Sequence, residues 1–137
     1  MINVRDVMEK DKVIVFLDDD INRAALAYSR WTDERKGRTV WVTTAKETIN
    51  VLKEYSGHID EVHLDHDLGG ETYVDFRNEN CGMEVIRWFE HLSPEESKRY
   101  EEIKFTIHSW NIAAARIMVE RLCKLGYKRV KHIPFGS

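Results

Sequence analysis

Three short stretches collect the residues whose side chains could do chemistry, and each follows an apolar run. Asp18–Asp19–Asp20 follows Val13 to Leu17, Asp65–His66–Asp67 follows Val62–His63–Leu64, and His108–Ser109–Trp110–Asn111 follows Phe105–Thr106–Ile107. Carboxylates crowded at one edge repel each other and raise each other's pKa. A hard divalent cation relieves this, and Mg²⁺ takes one or two carboxylates together with waters and phosphate oxygens. Asp18, Asp19, Asp65 and Asp67 are therefore candidate ligands for Mg²⁺ or Mn²⁺. Nothing in the sequence asks for an organic cofactor. Two imidazoles near neutrality suit a reaction in which one proton is removed and another delivered. His66 and His108 are the candidates, with Asp65 beside them. His66 could instead orient Asp65 or ligate the metal.

Each of these residues also has a plainer reading. Asp20 suits a helix N-cap. His58, His91 and His132 read as surface residues, and His63 as a packed strand residue. Ser109 and Asn111 stand at a helix start, where free N–H groups and the dipole favour phosphate. Asn111 can cap that helix at the same time. Trp110 could stack on a base or pack sideways. Arg23 and Arg77 could pair with phosphate or be solvated. Gly69–Gly70 would be a weak phosphate-loop signal alone, and matters because it follows Asp67.

The elements that must position these residues alternate. Lys12 to Leu17 is a continuous apolar strand, a pattern of burial on both faces. Asp20 then caps a helix from Ile21 to Lys36 with Ile21, Ala24, Ala25, Tyr28 and Trp31 at helical spacing, and Gly37 stops it. Arg38 to Thr43 is a second strand. Thr44 caps a helix from Ala45 to Tyr55, and Glu47 completes a capping box. Ile59 to Leu64 is the third strand. Gly69 to Asn80 has no clear periodicity, and loops of about twelve such residues tend to be functional. Asn80 caps a helix from Cys81 to Leu92, and Ser93–Pro94–Glu95–Glu96 starts a short turn. Ile103 to Ile107 is the fourth strand. A helix capped by Asn111 carries Ala115, Met118, Leu122 and Leu125 on one stripe and stops at Gly126. Tyr127 to Ile133 is the fifth strand, closed by Pro134.

This β-α alternation implies an α/β fold, with a single domain over residues 1–137. In a doubly wound parallel sheet of order 2-1-3-4-5, ligands bind outside the carboxyl ends of the strands, at the switch between strands one and three. The three clusters would then share one pocket. The composition, 42% hydrophobic and 33% charged, is globular. A formal net charge of −3 argues against a duplex-DNA binder. Apolar runs far short of about 20 residues indicate no membrane span. Met1 to Asp11 shows no targeting logic. Two distant cysteines, Cys81 and Cys123, suggest reduced packing thiols and a cytoplasmic setting. Oligomerisation is possible but not indicated.

Leu17–Asp18–Asp19–Asp20 and Leu64–Asp65 resemble the metal-binding pair and phosphoacceptor of a response-regulator receiver domain, a flavodoxin-like sandwich. That pattern has Ser or Thr ending strand four and Lys before Pro ending strand five. Here His108–Ser109 ends the fourth strand and Ile133 precedes Pro134, so the cation expected to engage a phosphoryl group is missing. The combination of Leu-Asp-Asp, Leu-Asp-His-Asp-Leu-Gly and Ile-His-Ser-x-Asn is closer to the cyclic-phosphate processing receiver domains of bacteria and phages, from Val13 to Leu125. That resemblance implies a phosphoesterase acting on a cyclic nucleotide or a cyclic-phosphate RNA end, in a bacterial or phage setting, with counter-defence one conceivable role. Asp18, Asp19, Asp65 and Asp67 would hold metal, which could polarise the phosphodiester and activate water. Asp65, His66 and His108 would be catalytic, and Ser109, Asn111 and Arg77 would orient phosphate. The loop from Glu71 to Asn80 is longer than the family's Gly-rich link. The alternatives are a non-catalytic nucleotide-sequestering or partner-docking module, and a receiver phosphorylated on Asp65.

Overall fold

The computed structural model describes residues 12–68, 75 and 77–133. The readings placed on Met1–Asp11, Gly69–Gly70 and Pro134, and half of the loop from Glu71 to Asn80, lie outside the described residues.

Five parallel strands form one sheet of order β2-β1-β3-β4-β5, as the alternation implied. They are β1 (Val13–Leu17), β2 (Thr39–Val42), β3 (Ile59–Leu64), β4 (Lys104–Ile107) and β5 (Val130–His132). Between them run α1 (Ile21–Ser29), α2 (Asp33–Gly37), α3 (Ala45–Glu54), α4 (Gly82–Glu90), α5 (Pro94–Ser97) and α6 (Ile112–Lys124). A 3₁₀ turn, Lys98–Tyr100, follows α5. All five residues of β1 are buried, which explains its uninterrupted apolar run. Among the described residues, no helix is long and apolar enough to cross a membrane.

The main core joins Val15, Leu17, Val62, Leu64, Phe105 and Ile107 of the sheet to Leu52 of α3, Met83 and Ile86 of α4, and Met118 and Leu122 of α6. Fully burying a side chain of this size contributes roughly 1.5–3 kcal/mol. A smaller aromatic group centres on Phe16 of β1. The Trp31 ring meets it edge-on at 5.8 Å, His63 lies at 5.9 Å, and His108 stacks on it at 5.0 Å with the planes 6° apart. Arg35 covers the Trp31 ring and forms a two-pronged ion pair with Glu61, which also bonds His63.

Several local expectations are corrected. The helix expected from Ile21 to Lys36 breaks after Ser29. Trp31 turns onto Phe16, and Thr32 starts α2 by accepting the Arg35 N–H. In α1 only Ala24 is fully buried, while Ile21 and Ala25 are exposed, because the packing stripe runs through Ala24, Tyr28 and Trp31. Leu125 and Cys123 are exposed, outside the buried stripe of α6. At α3 Thr44 caps the helix as expected by accepting the Glu47 N–H, and the Glu47 carboxylate also accepts from the Thr43 N–H. Asn80 does not cap α4. Its side chain accepts the Ala45 N–H at the start of α3, and Cys81 takes the N-cap position without a side-chain capping bond, its thiol donating to the Asn78 carbonyl instead. β5 is shorter than Tyr127 to Ile133, and Tyr127 is instead buried against Phe89 and Phe105. Asp20 caps α1 as expected, accepting from Asn22 and Arg23.

Gly82 opens α4 directly against the third strand end. Its N–H donates to the His66 carbonyl, and a Cβ there would sit 2.1 Å from the Asp65 carbonyl oxygen and 2.8 Å from Met118 Cε. No rotamer relieves a clash with a backbone oxygen. Gly82→Ala is expected to cost about 1–3 kcal/mol in urea denaturation, and an unchanged midpoint would show that α4 can slide away from Asp65.

Candidate functional site at the strand ends

The sheet register places the chemistry. Leu17, Leu64 and Ile107 are aligned across β1, β3 and β4. The ladder then runs one residue further. The Asp65 N–H donates to the Leu17 carbonyl at 3.1 Å, and the His108 N–H to the Leu64 carbonyl at 2.9 Å. Asp18, Asp65 and His108 therefore stand side by side at the carboxyl edge. The Asp18 N–H is tied in turn to Val42 of β2, and the Trp41 indole donates to the Asp18 carbonyl.

Both carboxylates are almost fully buried. Arg23, one turn into α1, joins them: its Nη2 donates to Asp18 Oδ1 at 3.0 Å and to Asp65 Oδ2 at 2.9 Å. The other two oxygens are also engaged. Asp18 Oδ2 faces His108 Nε2 at 3.1 Å, and Asp65 Oδ1 accepts the His66 N–H at 2.8 Å. Burial pushes Asp65 up to about 7; the neighbouring Asp18 charge acts the same way and Arg23 opposes it. Burial lowers His108 below the ordinary imidazole range, against the pull of Asp18. It is thus neutral near pH 7, with its Nε2–H donated to Asp18 and its Nδ1 buried without a hydrogen-bond partner.

His66, Asp67 and Asn111 form a second group. Asp67 Oδ1 faces His66 Nδ1 at 2.9 Å and accepts from Asn111 Nδ2 at 3.3 Å. Burial alone would lower His66, but the Cys81 thiol and Asp67 together raise it above the usual value. Burial alone would raise the Cys81 thiol, but His66 and the backbone N–H groups of Met83 and Glu84 together lower it below its usual value. Asn111 caps α6 through the Ala114 N–H, and its own N–H donates to Ser109 Oγ. Ser109 is fully buried, and His132 donates to its carbonyl at 2.9 Å.

The predicted residues thus divide. Asp18, Asp65 and His108 offer ligand atoms all within 4.8 Å of one another, two carboxylates and an imidazole that could together hold a divalent cation. Asp19 lies at the margin, 3.9 Å from Arg23, and Asp67 belongs to the second group. Arg77 pairs with Asp75 and is 79% exposed, in neither group. Both histidines are buried rather than facing solvent. Three contributors carried little sequence signal. Trp41 and His132 hold backbone carbonyls, and Cys81 matters through its contact with His66.

The family model described as "Cyclic-phosphate processing Receiver domain" matches residues 13–124. The chain belongs to that family. No curated protein matches it by sequence. Among solved structures, it is similar to the signal receiver domain of a protein described as a Luxo repressor from Vibrio parahaemolyticus. That likeness has a TM-score of 0.56 and 12% identity, covering 93% of this chain and 80% of that one, and it shows the fold alone. Within this receiver-type domain the cation on Asp65 comes from α1. Ile133, the residue after β5, is 40% exposed and its N–H donates to the Ile107 carbonyl.

Asp65 ties the site to stability. In the folded chain it keeps its proton up to about 7, whereas an unfolded aspartate loses it near about 4. The folded state therefore holds the extra proton between these values. That contribution to stability is complete below the unfolded pKa and is lost as pH rises through the folded one. Asp65→Asn cannot ionise, so its melting temperature should gain on the wild type more at about pH 8 than at about pH 5. An equal offset at both would contradict the raised pKa.

Proposed function

We propose that this domain is a phosphoesterase that opens cyclic phosphates of nucleotides, either a cyclic nucleotide or a cyclic-phosphate RNA end. The observation that carries this reading is Asp65. Its carboxyl is held near neutrality beside a guanidinium, in a chain of the cyclic-phosphate processing family. A group poised near the working pH is suited to general acid–base catalysis.

In this reading the phosphate lies between Arg23 and the first turn of α6, whose helix N-terminus favours an anion. Asp65 accepts a proton from the attacking water as the new P–O bond forms. The bond to the ring oxygen breaks, and that oxygen is protonated from the Asp67–His66 pair. His66 is fully buried, so Asp67 presents the pair to the pocket. His108 holds Asp18, and through Arg23 it sets the position of Asp65. Ser109 and Asn111 shape the turn that starts α6. A divalent metal, when bound, would be held by Asp18, Asp65 and His108 and would polarise the phosphate. Arg77 stays outside the pocket.

The burial of both imidazoles supports a second reading, a binder that returns its nucleotide unchanged. A panel of 2′,3′-cyclic and 3′,5′-cyclic nucleotides and cyclic dinucleotides, assayed with and without Mg²⁺ or Mn²⁺, separates the two. Turnover of at least one member is expected. It should fall by about 10²-fold or more in both Asp65→Asn and His108→Ala, with each variant folded by circular dichroism. Stoichiometric binding with the ligand recovered intact would establish the binder instead, and turnover retained in both variants would remove the assigned site.

A further inference from the structure

We propose that Arg23 is the resident cation of this site and holds the place between Asp18 and Asp65 against a divalent metal. The inference deepens the proposed function and rests on its reading of that cluster as the site. One nitrogen, Nη2, contacts both buried carboxylates, at 3.0 and 2.9 Å. Asp20 and Asp19 stand at 3.7 and 3.9 Å from the same guanidinium. Among the described residues, Asp18 and Asp65 pair with no lysine and no other arginine. Burial and mutual repulsion make it strongly unfavourable to ionise both acids without a counter-ion, and a single side chain supplies the positive charge that a metal would otherwise give.

The side chain is placed for this task. Arg23 lies at the third position of α1, where its own N–H is taken by the helix cap Asp20 at 3.2 Å. Its side chain is 23% exposed. Nε is buried without a hydrogen-bond partner, so Nη2 carries the bridge. A metal using Asp18, Asp65 and His108 needs oxygens and a nitrogen that already bond one another or Arg23. It must turn the guanidinium out and break the His108–Asp18 bond. Metal binding is therefore set against an internal competitor of the same charge sign, and removing that competitor exposes the donor set. A guanidinium turned out of the bridge is also free to meet a phosphate, which it binds in a planar fork.

The test uses the full chain and reads metal binding, not turnover. Mn²⁺ is titrated by calorimetry into the wild type, Arg23→Gln, and Arg23→Gln with Asp65→Asn, and melting temperatures are taken with and without Mn²⁺. Arg23→Gln is expected to bind one Mn²⁺ at least about tenfold more tightly than the wild type. Its melting temperature should rise with Mn²⁺ while that of the wild type hardly moves. The double variant should lose the gain. If Arg23→Gln does not fold alone, Mn²⁺ should restore its far-ultraviolet dichroism. Equal Mn²⁺ affinity in wild type and Arg23→Gln, or a variant that Mn²⁺ neither binds nor refolds, overturns the proposal. Because no substrate enters this experiment, a failure of the cyclic-phosphate panel would leave its outcome intact, and the converse also holds.

Discussion

The structure depends on two buried carboxylates held next to each other. Asp18 and Asp65 are forced together by the parallel ladder, which continues one residue past Leu17 and Leu64 before the chain turns away. Their mutual repulsion and their desolvation both oppose folding. The fold offsets this with Arg23 from one side and the His108 Nε2–H from the other. Removing Arg23 would take from Asp65 the ion-pair partner it has among the described residues.

Much of the surrounding packing serves that arrangement. Phe16 lies beneath the His108 ring, and Trp31 and His63 complete the aromatic group around it. The turn that ends α1 early is what lets Trp31 reach this group and Arg35 reach Glu61. On the other side of Asp65, Gly82 lets α4 approach the strand end closely enough to donate to the His66 carbonyl. The two histidines that look most reactive by type are consequently the most enclosed. Their surroundings turn them in opposite directions: burial dominates at His108 and keeps it neutral, whereas Cys81 and Asp67 hold His66 toward its charged form.

Membership of the cyclic-phosphate processing receiver family and the likeness to a signal receiver domain agree on the same scaffold. On that scaffold the cation that pairs with Asp65 is Arg23, on the element that follows β1. A guanidinium fixed between two carboxylates differs from an isolated lysine. It is planar, cannot lose its proton at any ordinary pH, and can bridge.

Strand identity, sheet order and the meeting of three clusters at one edge were legible in the residues alone. An apolar run ending in Asp or His declares its own strand end, and the β-α alternation admits few parallel orders. Helix caps at Asp20, Thr44 and Asn111 were legible for the same reason, since capping is a contact between near neighbours. What the sequence could not determine is set by contacts between distant segments. The break at Trp31, the Asn80 side chain serving α3 rather than α4, and the inward turn of His66 and His108 depend on surfaces that exist only after packing. The joining of Asp18 and Asp65 through Arg23 is of this kind. The sequence placed two acids at strand ends, but the tertiary structure decided that they would be buried and bridged, because only the assembled sheet edge excludes the water that would otherwise have separated them.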